Sequence, residues 1–255
     1  MRFRILFGSA MVAVLLGITG IASAAPPSAL PYTCAGGDIP SGNYASITVT
    51  GFCDVVPDAV INVSGNINVA AGALFDAQSS PSTITVGQNV TAGAGSLLGL
   101  GCQSNFAHAP HPCADGSGGA SVITVNGNVS ATDAFLVLLN GITVNKNVTL
   151  TGGGGGGSGF ADWAEKHNTI VGNLSISSVT PDFLGVLFDN VGGNVNLSNI
   201  TAIDPGDGGF GDVSVFTNTV GQNLNCSGLG PRLTGGASNI VGHKATGQCV
   251  GMVGG

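Results

Sequence analysis

The chain has 255 residues, of which 7% are charged, 43% are hydrophobic and 44 are glycine, and it carries a formal net charge of −7. Six Lys and Arg against 13 Asp and Glu exclude a basic nucleic-acid surface and attraction to an anionic membrane. Sparse charge with abundant β-branched residues fits neither a disordered polyanion nor an ordinary globular domain; it fits a repeat architecture whose turns are held by Gly and Asn.

Arg2 and Arg4 precede an apolar run from Ile5 to Ile21 that ends at Ala22-Ser23-Ala24. This tripartite pattern predicts a cleaved signal peptide over 1–24 and a single domain over 25–255, secreted or at the cell surface. The run is short for a membrane span, and Pro26 and Pro27 follow it. With the leader removed, Lys146, Lys166, Arg232 and Lys244 face 13 carboxylates, leaving nine net negative charges. No later segment has the pattern of a membrane helix or membrane strand, so no membrane association is expected after cleavage.

A strand-like unit then recurs seven times: INVSGNI (61–67), ITVGQNV (84–90), ITVNGNV (123–129), ITVNKNV (142–148), TIVGNL (169–174), VGGNV (191–195) and TVGQNL (219–224). In ITVNGNV, Ile123 and Val125 share one face of a strand and Thr124 the other, Asn126-Gly127 makes a bend, and Val129 turns inward on the next strand. One coil therefore holds at least two strands joined at a sharp corner. The predicted fold is all-β, a single-stranded parallel β-helix (β-solenoid) of about nine to ten coils with inserted loops, some 40–50 Å long at the usual strand spacing.

Stacking would superimpose Asn66, Asn89, Asn128, Asn147, Asn173, Asn194 and Asn223, whose amides can then bond as a ladder. Their intervals of 23, 39, 19, 26, 21 and 29 residues fit one coil plus insertions. A second register is expected where Asn168, Asn190, Asn218 and Asn239 open strands, the last in a capping repeat that reads His243-Lys244 in place of Gly-Asn. The eight Asn-x-Ser/Thr sequons, at Asn62, Asn89, Asn128, Asn147, Asn173, Asn196, Asn199 and Asn225, follow from this corner pattern and are not read as glycosylation sites.

Six cysteines in a secreted chain predict three disulfides. Because each coil touches only its neighbours, the expected pairs are local: Cys34 with Cys53, Cys102 with Cys113, and Cys226 with Cys249. Cys102, His108, His111 and Cys113 also compose a Cys2His2 set, but the spacing is not that of a zinc site, and a disulfide is the expected state.

The interruptions fall near 99–120, 151–167, 203–212 and 227–238. Six glycines at 152–157 predict a mobile loop. Trp163 lies with Asp162, Glu165, Lys166 and His167 in the one charged cluster; it is either a sugar-stacking platform or, as expected here, part of a short helical cap packed on the solenoid. Asp204, Asp207 and Asp212 occupy a Gly-rich run without the register of a calcium repeat, so a solvated acidic turn is expected.

The repeats, with Gly-Gln-Asn-Leu-Asn-Cys (221–226) and Gly247-Gln248-Cys249, resemble secreted bacterial right-handed parallel β-helices of the pectate-lyase-like type, most closely bacterial β-solenoids that end in Gly-Asn-Leu-x-Cys and Gly-Gln-Cys. The likeness spans Cys34 to Cys249 and implies fold and handedness, not chemistry. Polysaccharide lyases of that resemblance use a basic residue, usually Arg, with calcium-binding carboxylates, and Arg232 is the one arginine after the leader. A glycoside hydrolase needs facing carboxylates, for which Asp182 and Asp189 are the candidates. No convergent set of titratable groups appears, so the expected function is a noncatalytic structural or surface protein with weak carbohydrate or matrix binding, and no cofactor or metal. The alternative is a polysaccharide-degrading enzyme. Outward Thr48, Thr50, Thr85, Thr124 and Thr143 suggest ice binding as a third class, against which stands the lack of a Thr-x-Thr pair in every coil.

Overall fold

The computed structural model describes residues 29–115, 118–203 and 212–254; residues 1–24, where a leader is expected, and Asp204 and Asp207 lie outside them. Among the described residues the chain is all-β: 27 strands form an 18-stranded and a nine-stranded sheet, with one 3-10 turn at Val250–Met252. The strands pair in parallel, as expected for a β-solenoid.

Each full repeat contributes three strands. Ala59–Val63, Ile67–Val69 and Leu74–Ala77 make one repeat, and Ser82–Val86, Val90–Ala92 and Leu97–Leu100 the next. Every strand pairs with its counterpart, as Ile61 with Ile84, Ile67 with Val90 and Leu74 with Leu97. First- and second-position strands build the larger sheet, and third-position strands, from Gly37–Ile39 to Arg232–Thr234, build the smaller one.

Alternation fills the interior. Ala59, Ile61 and Val63 are buried while Val60 and Asn62 are exposed. Val125, Val144, Ile170, Val191 and Val220 follow one another in register, all buried. Each such side chain contributes roughly 1.5–3 kcal/mol of burial. Trp163 is buried in the same core, its Nε1 donating to the Phe135 carbonyl at 3.0 Å. It lies on the strand Asp162–Lys166, not on the short helix expected there. Alternation along that strand, Trp163 inward and Asp162 outward, explains why a charged-looking stretch joins a sheet.

Two corners repeat in backbone conformation. One places Asp133 and Ser178, just after their second-position strands, and Asn199, at the matching place within Val195–Thr201, at φ 53°, 57° and 52°. The one after the third places Gly141, His167, Phe188 and Thr217 at 70°, 56°, 59° and 58°. Left-handed backbone is costly for a Phe, and the aromatic stacking described below offsets part of that cost.

At the bend between the first- and second-position strands, Asn89 Nδ2 donates to Asn66 Oδ1 at 3.2 Å, and the same contact runs from Asn128 to Asn89, Asn147 to Asn128, Asn173 to Asn147, Asn194 to Asn173 and Asn223 to Asn194 at 2.9–3.2 Å. Each receiving oxygen also accepts the backbone N–H of the same donor residue at 2.8–3.2 Å. The three disulfides are Cys34–Cys53, Cys102–Cys113 and Cys226–Cys249, with Cα separations of 6.3, 5.0 and 5.5 Å.

Three further expectations need correction. Asp189, not Asn190, holds the second asparagine register, because Thr169, Asn190 and Thr219 pair and the residue before each forms the buried column. The segment 227–238 is not a loop throughout, since Leu224–Gly230 and Arg232–Thr234 are strands. The glycine run is pinned: Gly152, Gly154 and Gly156 donate to the carbonyls of Ser177, Ala134 and Thr180 at 3.0, 2.9 and 2.7 Å, and Gly157 to Asp182 Oδ1 at 2.5 Å. A side chain at Gly153 or Gly154 would collide with the backbone of Ala134 or Thr180, so this close approach demands glycine.

Candidate functional site

Charge divides between the sheets. None of the 18 strands of the larger sheet contains Asp, Glu, Lys or Arg, whereas strands of the smaller sheet carry Asp38, Asp54, Asp76, Asp162, Glu165, Lys166, Asp212 and Arg232. The second-position strands of the larger sheet face solvent with small polar groups, whereas its first-position strands also expose Val60, Val122 and Ile240. Along the second-position strands one register column reads Thr48, Asn68, Thr91, Ser130, Thr149, Ser175, Asn196, Asn225 and Thr246. Two residues further along, Thr132, Thr151, Ser177, Ser198 and Ser227 form a second column.

Bonds between neighbouring repeats orient these side chains. Thr91 Oγ1 donates to Asn68 Oδ1 at 2.9 Å, Asn225 Nδ2 to Asn196 Oδ1 at 2.8 Å and Thr246 Oγ1 to Asn225 Oδ1 at 2.7 Å. The threonines singled out in the sequence split between faces: Thr85, Thr124 and Thr143 share a column on the first-position strands, and Thr48 stands on the second. Hydroxyl pairs do occur, as in Thr149-x-Thr151 and Ser175-x-Ser177, but mixed with Asn.

The smaller sheet carries the concave features. A cavity of about 260 Å³ is lined by Leu74, Leu97, Leu136, Leu138, Asp76, Gln78 and His111. A neighbouring one of about 370 Å³ shares His111, Leu136 and Leu138 and adds Phe160, Asp162, Lys166 and Phe183. The segment 102–113 overhangs them. The Cys102–Cys113 bond ties its base, Gln103 and His111 exchange backbone bonds, and Gln78 Nε2 touches His111 Nε2. Farther out, Phe106 stacks on His167 at 3.8 Å and His167 on Phe188 at 4.8 Å, while His167 Nε2 donates to the His108 carbonyl at 2.7 Å. Burial, aided by Lys166 and opposed by Asp76, lowers His111 to about 4. Cys102, His108, His111 and Cys113 therefore do not form a metal set, because both thiols are spent in the disulfide and the imidazoles have separate partners.

The acidic residues have structural partners. Burial pushes the Asp182 carboxyl up, but bonds from Ala161, Ser158, Gly157 and Gly159 outweigh it and hold the group below its ordinary range. Asp182 and Asp189 stand at opposite ends of the strand Phe183–Leu187, so they do not form a facing pair. Glu165 and Asp189 are 0% and 1% exposed, inside the core and out of reach of a polymer. Arg232 Nε donates to Asp212 Oδ1 at 2.6 Å, so the one basic candidate is ion-paired.

Sequence reasoning missed the groove and the continuity of the hydroxyl columns. The alternation LFDA, LLGL, LVLLN and FLGVL carried a signal for the third strand and its outward leucines, but it lacks the Asn corner that marks the other strands. No family model, curated protein or solved structure matches the chain.

Proposed function

We propose that the protein is a noncatalytic extracellular β-solenoid, released by cleavage of residues 1–24, that presents its uncharged hydroxyl and amide columns to a neutral carbohydrate or cell-envelope matrix polymer. In this reading about nine to ten coils stack into a rod, and the Asn66 to Asn223 column is the ladder that fixes their register. Its affinity with secreted bacterial parallel β-helices belongs to the same proposal, supported by the parallel pairing and the Asn-to-Asn bonds.

The observation that carries the reading is the uncharged second-position face, where outward Ser, Thr and Asn recur from Thr48 to Thr246. Oriented hydroxyls and amides at regular spacing complement the hydroxyls of a repeating neutral polymer, each contact being weak and their number supplying retention. The three disulfides are compatible with an oxidising, extracellular setting. The lyase alternative would need a free base at Arg232, which is paired with Asp212.

The test passes residues 25–255 over insoluble neutral polysaccharides and over polyuronate, with released sugars assayed. Retention on the neutral polymer at raised salt, without product, is expected, as is its loss in a Ser175→Tyr, Asn196→Tyr double variant. Product release, or retention that ignores the double variant, overturns the reading.

One observation favours a second ligand, ice: paired columns spaced about 4.8 Å across strands and about 6.6 Å along them form a two-dimensional lattice of polar groups. Thermal hysteresis in dilute protein would support it; ordinary freezing would remove it.

A further inference from the structure

Asn168, Asp189, Asn218 and Asn239 occupy one buried column in successive repeats. The asparagines there do two things. Their oxygens accept the backbone N–H of the column residue in the preceding repeat: Asn168 from Ile142 at 3.1 Å, Asn218 from Asp189 at 2.9 Å, Asn239 from Asn218 at 3.0 Å. Their amide nitrogens donate to a main-chain carbonyl at the end of the preceding third-position strand: Asn168 to Leu139 at 2.9 Å, Asn218 to Val186 at 2.8 Å, Asn239 to Val215 at 3.2 Å.

Asp189 does the first of these, accepting the Asn168 N–H on Oδ1 at 2.8 Å. The second requires a donor, and an ionised carboxylate has none. Leu139, Glu165 and Val186 are paired in register, so the carbonyl that falls to Asp189 is that of Glu165. Asp189 Oδ2, the atom standing where the others carry an amide nitrogen, is buried without a partner among the described residues. As an anion it would oppose an acceptor with an acceptor in the core; as an acid, Oδ2–H reproduces the asparagine amide.

We propose that Asp189 is held in the folded protein as a protonated carboxylic acid, an asparagine mimic whose Oδ2–H donates to the Glu165 carbonyl, and that loss of this proton loosens the stack at this repeat.

The surroundings agree. Glu165, on the preceding third-position strand, is the titratable side chain facing Asp189; both its oxygens are buried and without a partner among the described residues, and burial first, then Asp189, pushes it well above the ordinary carboxylate range. Burial raises Asp189 itself to about 7, against the lowering effect of its bonds from Asn168. Asn168 and Asn218 flank it along the column and are neutral. Lys166 follows Glu165 in the alternating strand and is half-buried, and His167 stacks between Phe106 and Phe188.

The sign follows from linkage. The folded protein keeps a proton that the unfolded chain releases in the ordinary carboxylate range, so stability is fullest below that range and declines as pH rises to about 7. The device is a stack that is firmer in mild acid.

The test compares unfolding midpoints of the wild type, Asp189→Asn and Glu165→Gln between about pH 5 and pH 8. Relative to Asp189→Asn, the wild-type midpoint is expected to fall as pH rises, against the opposite slope that the lowered His111 and His167 give in the acid part of the range, and Glu165→Gln is expected to retain this difference. Selective carbon-13 labelling of aspartate side chains in the wild type should reveal one carboxyl that stays protonated beyond the ordinary carboxylate range, a readout that survives if the variants misfold. Titration of every aspartate within the ordinary range, or an unchanged slope in folded Asp189→Asn, overturns the proposal.

Discussion

Asp182 Oδ1 accepts the backbone N–H of Gly157 at 2.5 Å, reaching across 25 residues to hold the far end of the glycine run. Its other oxygen takes Ser158 Oγ and the Ala161 N–H, both at 2.9 Å. One carboxylate therefore anchors a segment with little intrinsic preference of its own. Asp182→Ala is expected to cost about 2–4 kcal/mol in urea unfolding, since charge-assisted bonds and buried donors are lost together. Because this carboxyl is held below its ordinary range, its contribution is present above that range and is lost as pH falls through the lowered value. Limited proteolysis should cut 152–161 readily in acid and in the variant, and uniform resistance would refute the anchor.

The bond Cys226–Cys249 closes 23 residues around the last strands. Replacing both cysteines by Ser is expected to lower stability by about 3 kcal/mol, the magnitude of a loop of that size. Hydrogen exchange should rise first in Ala245–Gly247 and the turn Val250–Met252, which have neighbours on one side only. Equal loss of protection in Ala59–Val63 would mean that the bond does not act locally.

Acid should loosen the segment over the groove. His111 is driven down to about 4 by burial first, and His167 is lowered by burial as well. A base whose folded pKa is depressed favours the neutral folded form, so stability is full above the ordinary histidine range and declines as pH falls towards about 4 for His111. Exchange of 102–113, corrected for intrinsic rate, should be faster near pH 5 than near pH 7. His111→Leu should flatten that difference; an unaltered one would assign it elsewhere.

Asn128 accepts from Asn147 and donates to Asn89. Asn128→Ala removes both side-chain bonds and leaves the Asn147 N–H without its acceptor, for an expected loss of about 2 kcal/mol. The same change at exposed Asn62, whose amide bonds outward to Asn43 at 3.1 Å, should cost a fraction of that. Thermal melts of the two variants, compared side by side, check the difference; equal losses would deny the column any special role.

The first two strands of each repeat were legible because a β-branched pair, a bend and Asn recur on one line, as in ITVNGNV and ITVNKNV. Local pairing of the cysteines followed from the same periodicity. The third strand was not legible: Asp162–Lys166 has the composition of a solvated cluster, and only alternation across it, with Trp163 inside, marks a sheet. Asp189 was hidden by Asn190, the better match by residue type, because register is set by the pairing of Thr169 with Asn190 and not by identity. The groove was invisible for a different reason, since Leu74, Leu97 and Leu136 meet only once the repeats stack, and the overhang depends on where Cys102 and Cys113 are fastened.

The division of charge between the two sheets gives the molecule two surfaces that answer to different variables. Dissolved salt screens charges within about 10 Å at 0.1 M, so ionic strength governs whatever approaches the flank carrying Asp76, Asp162 and Arg232. It leaves the Ser, Thr and Asn flank almost untouched, and that flank answers instead to competition from water and from other hydroxylated solutes. On the proposed reading, salt would release a partner from the charged flank and free sugar would release one from the hydroxyl flank.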